Sequence, residues 1–159
     1  LGNVAAAVAG TDYAAAGQPR FLVYLSANST IASLTNTKIS WDLVGVDNTG
    51  SFSNGKFIAP TAGQYQLNCT LFTFSNIASG TRLILYIYKN GSDLTTLSDT
   101  TLAASIGLYN PVTLAGAFMV TAAAGDYFEV YAVNSSGAAL PIYGGTAWVG
   151  ATFSGFRIP

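Results

Sequence analysis

The sequence predicts a single all-β domain, an antiparallel sandwich or barrel of some eight to ten short strands. Three observations carry this. Short runs that alternate apolar and polar residues recur along the chain, turn clusters separate them, and no stretch repeats its apolar residues at helical spacing.

Residues 1–20 read differently from the rest. They are rich in Ala and Gly, and the run Ala5 to Ala7 is too short for a stable isolated helix, so a linker or stalk remnant is expected there and the folded domain over 21–159. A start at Leu1 rather than Met is what a fragment or a processed product would show. Phe21–Leu25 is apolar and β-prone, and Ser26–Thr30 reads as a turn. Over 39–44, Ile39, Trp41 and Leu43 alternate with Ser40 and Asp42. Over 65–71, Tyr65, Leu67, Cys69 and Leu71 are placed to face a core. Asn90-Gly91, between two β-prone runs, is the strongest short hairpin signal in the chain. The run 148–153 is the expected closing strand.

Two strands break the one-face rule. Arg82–Tyr88 offers Leu83, Leu85 and Ile87 to one side and Ile84, Tyr86 and Tyr88 to the other, and Tyr127–Val133 is apolar on both faces except at Glu129. One face of an antiparallel sandwich normally meets water, and no helix is left over to cover a second apolar face. A subunit contact through Ile84, Tyr86, Tyr88, Tyr127 and Tyr131 is therefore expected.

Composition supports the same expectation. Of 159 residues, 50% are hydrophobic, 13% aromatic and 8% charged, against about 25% charged in an average domain. Scarce charge with high hydrophobicity excludes disorder. Six scattered Lys and Arg cannot neutralise a run of phosphates, which excludes counter-ion-driven nucleic-acid binding. No apolar run reaches the length of a bilayer-spanning helix, and the two-sided strands lack the polar lumen face of a membrane barrel, so no membrane insertion is expected. The reading that unites these points is assembly: charges are few because strands 82–88 and 127–133 face sister subunits.

The residues resemble the complement-type C1q domain. Trp41, Asp47 and Phe52 match the first three anchors of that family's pattern, and Phe57, Gly63 and Tyr65 match the next three. Gly55-Lys-Phe57, Pro60 to Tyr65, Lys89-Asn-Gly91, Gly125-Asp-Tyr127 and Phe153-Ser-Gly-Phe156 follow in the family's order. The departures are those of a divergent member: Trp41 stands where Phe is usual, the gap from Phe52 to Phe57 is two residues short, and Leu67 and Cys69 occupy aromatic positions. The opening Leu-Gly-Asn-Val and the run Ala9 to Ala14 resemble stalk segments of bacteriophage fibres. Together the resemblances imply a ten-stranded jelly roll of C1q/TNF type, forming a homotrimer as the C-terminal knob of a phage tail or head fibre. They also imply a virion or extracellular location and a host-surface glycan or protein as partner. A structural virion trimer or a secreted ligand-binding domain is the alternative. Some family members hold calcium, but no ligand position carries over; no other cofactor is expected.

The residue types argue against catalysis. With no His, every Ser–His or Cys–His nucleophile arrangement is excluded. Cys69 lies on the inward phase of its strand and reads as a buried small hydrophobe. Asp47, Asp93 and Asp126 sit in turns, where backbone capping is their expected work. Asp42 and Glu129 lie in apolar strand contexts, where a salt bridge to Arg82 or Lys89 explains them better than acid–base chemistry. Binding is the function left, and loop aromatics are its candidates: Tyr109, in 107–111, and Tyr143, in 141–145.

Overall fold

Alternation at period two is converted into a sandwich wherever the apolar phase of one strand meets that of another. In the computed structural model, which describes residues 18–108, 110–145 and 150–159, thirteen strands do this in two antiparallel sheets. They are β1 (Arg20–Tyr24), β2 (Ser29–Ile31), β3 (Thr37–Lys38), β4 (Leu43–Asp47), β5 (Phe52–Ser53), β6 (Lys56–Ile58), β7 (Gly63–Thr73), β8 (Arg82–Lys89), β9 (Ser92–Thr101), β10 (Val112–Ala122), β11 (Tyr127–Asn134), β12 (Leu140–Ile142) and β13 (Thr152–Arg157). Five of the thirteen, β2, β3, β5, β6 and β12, are only two or three residues long, which is why the count exceeds the expected ten. One sheet, the long sheet, runs β2-β12-β7-β13-β1-β4, with β10 added beside β7. The other, the tyrosine sheet, runs β5-β6-β11-β8-β9, with β3 beside β11. The architecture is an all-β antiparallel jelly roll.

The core lies between the sheets. From the long sheet come Phe21, Val23, Tyr65, Leu67, Cys69, Leu71 and Phe153; from the tyrosine sheet come Phe57, Leu83, Leu85, Ile87, Phe128 and Val130, all buried. Phe21 anchors the aromatic part, its ring 4.4 Å from Phe57 and 4.8 Å from Phe153. Gly155 makes room for it, since a Cβ there would lie 2.7 Å from both the Phe21 ring and Leu67. Burial of each such aromatic stabilises the fold by roughly 1.5–3 kcal/mol. The hairpin at Asn90-Gly91 forms as expected, with φ of +54° and +80° at its two central residues, as a type I′ turn requires.

Two local expectations are corrected. Residues 39–42 are not a strand: the chain there crosses between the sheets, Ile39 bonding to β11 (Ile39 N to Val130 O, 2.9 Å) and Asp42 to β1 (Asp42 N to Tyr24 O, 3.2 Å). The crossing buries Ile39 and Trp41 while leaving Asp42 exposed, which mimics strand alternation. The turn expected at 26–30 ends early, because Ser29–Ile31 pairs with β12. The closing strand is Thr152–Arg157, paired with both β1 and β7; Trp148 and Val149 lie outside the described residues, as do residues 1–17 of the expected linker.

Candidate functional site

Each sheet has one face in the core and one face outward, and the two outward faces are built of different residues. On the long sheet, register sets three rows across the strands. Arg20, Phe156, Gln66 and Met119 form one; Val46, Leu22, Ser154, Asn68 and Ala117 the next; Leu43, Tyr24, Thr152, Thr70 and Ala115 the third. Three large apolar side chains stand exposed here: Met119 (64%), Phe156 (47%) and Val46 (39%). Among the described residues of these rows the charged side chain is Arg20. A shallow cavity of about 750 Å³ opens on this face where β1 and β13 meet, its lining including Arg20, Arg157, Leu22, Val46, Asn68 and Phe156.

The outward face of the tyrosine sheet carries the residues expected at a subunit contact. Tyr131 lies opposite Tyr86, and Glu129 opposite Tyr88. The Tyr88 and Tyr131 rings are 4.1 Å apart, and Tyr86 stands edge-on to Tyr88 at 6.4 Å. Tyr127 sits at the border under the Lys56 ammonium, 4.3 Å from its ring centroid. The chain covers part of this face itself. Ile84 is only 7% exposed, and β3 lies along β11, placing Lys38 opposite Tyr131. Asn36 donates to the Tyr88 hydroxyl at 2.7 Å. Partial burial pushes the Tyr86 and Tyr131 hydroxyls to higher pKa, so both stay protonated at neutral pH.

The carboxylates have specific partners, not all of them the expected ones. Glu129 pairs with Lys38 at 2.6 Å, and not with Arg82 or Lys89. Arg82 stands six positions along β8 from Tyr88, the residue opposite Glu129, a separation of about 20 Å at strand rise. Lys89 belongs to the opposite phase of β8 and pairs with Asp126 at 2.8 Å; Arg82 pairs with Asp99 instead. Asp42 makes no ion pair among the described residues: it accepts from the Ser26 amide and hydroxyl, and the hydroxyl bond leads the effects that lower its pKa. Asp47 accepts from the amides of Ser51 (3.0 Å) and Phe52 (2.8 Å), the capping role its turn position predicts. Asp126 holds the 123–127 turn, accepting from Lys89, Asn90 and the Ala123 amide, and the Lys89 bond first among these brings its pKa to about 2. Burial pushes the Cys69 thiol well above the usual range, so it is no nucleophile.

Among the described residues no three Cys, Asp or Glu side chains gather to hold a metal ion. Of the two loop aromatics, Tyr143 packs: its ring meets Phe74 edge-on at 5.2 Å, and its amide bonds to the Phe72 carbonyl. Tyr109 lies outside the described residues. The sparsely charged outward face of the long sheet was not anticipated. Its signal is the outward phase of 64–72 and 113–121, which holds Gln, Asn, Thr, Ala, Phe and Met and no charge.

Solved structures share this fold. The globular domain of zebrafish complement 1qA protein superposes with a TM-score of 0.65 at 16% identity, covering 89% of this chain and 98% of that one. Murine APRIL superposes with a TM-score of 0.59 at 12% identity, covering 89% and 99%. No protein-family model and no curated protein sequence matches the chain. At these identities the likeness establishes the C1q/TNF jelly roll and nothing finer.

Proposed function

We propose that this chain is a non-enzymatic, homotrimeric binding module, the knob of a phage tail or head fibre, which attaches to a host-surface receptor. The observation that carries the reading is the outward face of the long sheet. It exposes Met119, Phe156 and Val46 together on a face whose strand rows hold one charge. Apolar surface of this kind marks a protein contact, and most soluble oligomers are built from copies of one chain. We therefore assign the subunit contact to this face, in place of the face formed by strands 82–88 and 127–133. The latter already has Lys38 and Glu129 paired upon it. Three copies joined this way would turn their tyrosine sheets outward, as a receptor-facing surface requires. The fibre setting rests on the stalk-like character of residues 1–20.

Native mass measurement tests the assembly: a mass of three chains is expected, and a monomer at micromolar concentration overturns it. Adsorption to host cells tests the function. A trimer that binds nothing on any host surface would instead be a structural part of a virion.

A further inference from the structure

The tyrosine face differs from an ordinary solvated sheet in how its charges are used. Tyr86, Tyr88 and Tyr131 form a contiguous aromatic surface, with neighbouring ring centroids 4.1 and 6.4 Å apart, and all three are half-exposed. Ionic groups surround them, but in compensated pairs: Lys38 with Glu129 on one side and Arg82 with Asp99 on the other. On β9, Asp99 lies opposite Ile84 and Asp93 opposite Tyr88, while on the other side of the sheet Lys56 stands over the Tyr127 ring. The face thus offers aromatic rings and many hydrogen-bonding groups with no excess of either charge. That combination disfavours an anionic polymer, which needs uncompensated cations. It also disfavours a wholly apolar partner, which would strand the ion pairs without water.

We infer that this face binds neutral carbohydrate, with the C–H faces of hexose units lying on Tyr86, Tyr88 and Tyr131 and their hydroxyls meeting the rim formed by Asn36, Lys38 and Asp99. A pyranose presents an apolar ring face and a hydroxyl edge, and tyrosine presents the matching apolar body and polar tip. Tyrosine also gives up little side-chain freedom on binding. The Tyr86 and Tyr131 hydroxyls stay protonated and remain donors at neutral pH. The face is open rather than concave, so one site is weak and three on one trimer act together. This inference rests on the trimeric attachment reading above and names its ligand class.

The test is an array of immobilised neutral gluco-, galacto- and manno-oligosaccharides beside sialylated and sulfated ones, probed with the intact chain. Binding to at least one neutral glycan is expected, and Tyr88→Ala and Tyr131→Ala are expected to weaken it at least about tenfold with the native mass unchanged. Binding to anionic glycans alone, or to none, overturns the inference. Loss of the oligomer in the tyrosine variants also overturns it and returns this face to the subunit contact. Should the Ala variants fold poorly, NMR on the unaltered protein decides: magnetisation transfer between tyrosine ring protons and sugar C–H protons is expected, and its absence at saturating glycan overturns the inference. If the tyrosine variants still adsorb to host cells as the parent does, only the site falls and the attachment reading stands. If the parent adsorbs to no host, both fall.

Discussion

The two outward faces of this sandwich are made by the same rule of alternation and yet differ in charge. The tyrosine sheet presents Lys38, Lys56, Arg82, Asp93, Asp99 and Glu129 around its aromatic centre. The rows of the long sheet present Arg20 and otherwise amides, hydroxyls and apolar groups. Of the chain's few charged residues, the tyrosine face thus carries six where the rows of the long sheet carry one. A charge is cheap facing water and costly when buried without a partner, so the distribution itself indicates which side meets solvent. Aromatic content alone points the other way, although a half-buried tyrosine is content at a water boundary.

A charge placed where none exists breaks this comparison most directly. Ala117, at the end of the row running through Asn68, Ser154, Leu22 and Val46, is exposed in the single chain, so Ala117→Arg should leave the fold intact. In an assembled contact it would bury an unpaired guanidinium, at a cost of about 3–5 kcal/mol, or several hundred-fold or more in the association constant. Sedimentation equilibrium should show monomer under conditions where the parent is trimeric. Tyr86→Arg, the matching change on the other sheet, should leave the mass unaltered. The reverse result would exchange the two assignments.

How much of this was legible beforehand follows from the range of each signal. The inward phase of 65–71, the Asn90-Gly91 turn and the aromatic core are local patterns, and Tyr65, Leu67, Cys69, Phe57 and Phe153 are buried as the alternation requires. The two-sided character of 82–88 and 127–133 was also legible, but what covers the second side was not. Lys38 reaches Glu129 across 91 positions of sequence, through a two-residue strand too short to carry a periodic signal. The partner of Arg82 was missed for a related reason: Asp99 lies on β9, a strand of Ser, Thr and Asp with little apolar alternation.

The seam between the faces supplies the next largest effect. Gly116 of the long sheet lies so close to β9 that a Cβ would stand 2.5 Å from the Leu97 carbonyl oxygen and 2.8 Å from its Cβ. Because backbone cannot yield as a flexible side chain does, Gly116→Ala should cost about 1–3 kcal/mol, read as a lowered denaturant midpoint. If stability is unchanged, the two sheets are not held at this distance.

Acid should sharpen the contrast further. The folded pKa of Asp126 is depressed to about 2 from the ordinary 3.8, so its contribution is complete above about pH 4 and is lost as pH falls through 2. The lowered pKa values of Asp99 and Asp42 act in the same direction. Stability should therefore decline on acidification below pH 4. The proposed subunit contact has no carboxylate in its strand rows, so the native mass should stay unchanged from about pH 5 to 9. A trimer that dissociates within that interval would place a titrating group in the contact and so favour the charged face.

The smallest effect comes from the pair that looks strongest in the geometry. Arg82 meets Asp99 through two parallel bonds, one of them 2.8 Å long, and the pair raises the one pKa and lowers the other, the hydrogen bond leading in both. Both side chains stand in solvent, however, at 56% and 37% exposure. There water competes for each bond, salt screens the attraction, and two long side chains lose freedom to hold the geometry. Arg82→Ala should therefore leave the melting temperature unresolved from that of the parent. The same substitution leaves Asp99 uncompensated beside Ile84, and the neutral character of the tyrosine face is lost with it. Neutral-glycan binding should then fall while stability does not, separating what the pair does for the surface from what it does for the fold. A large drop in melting temperature would show that the pair belongs to the folded core and not to the binding face.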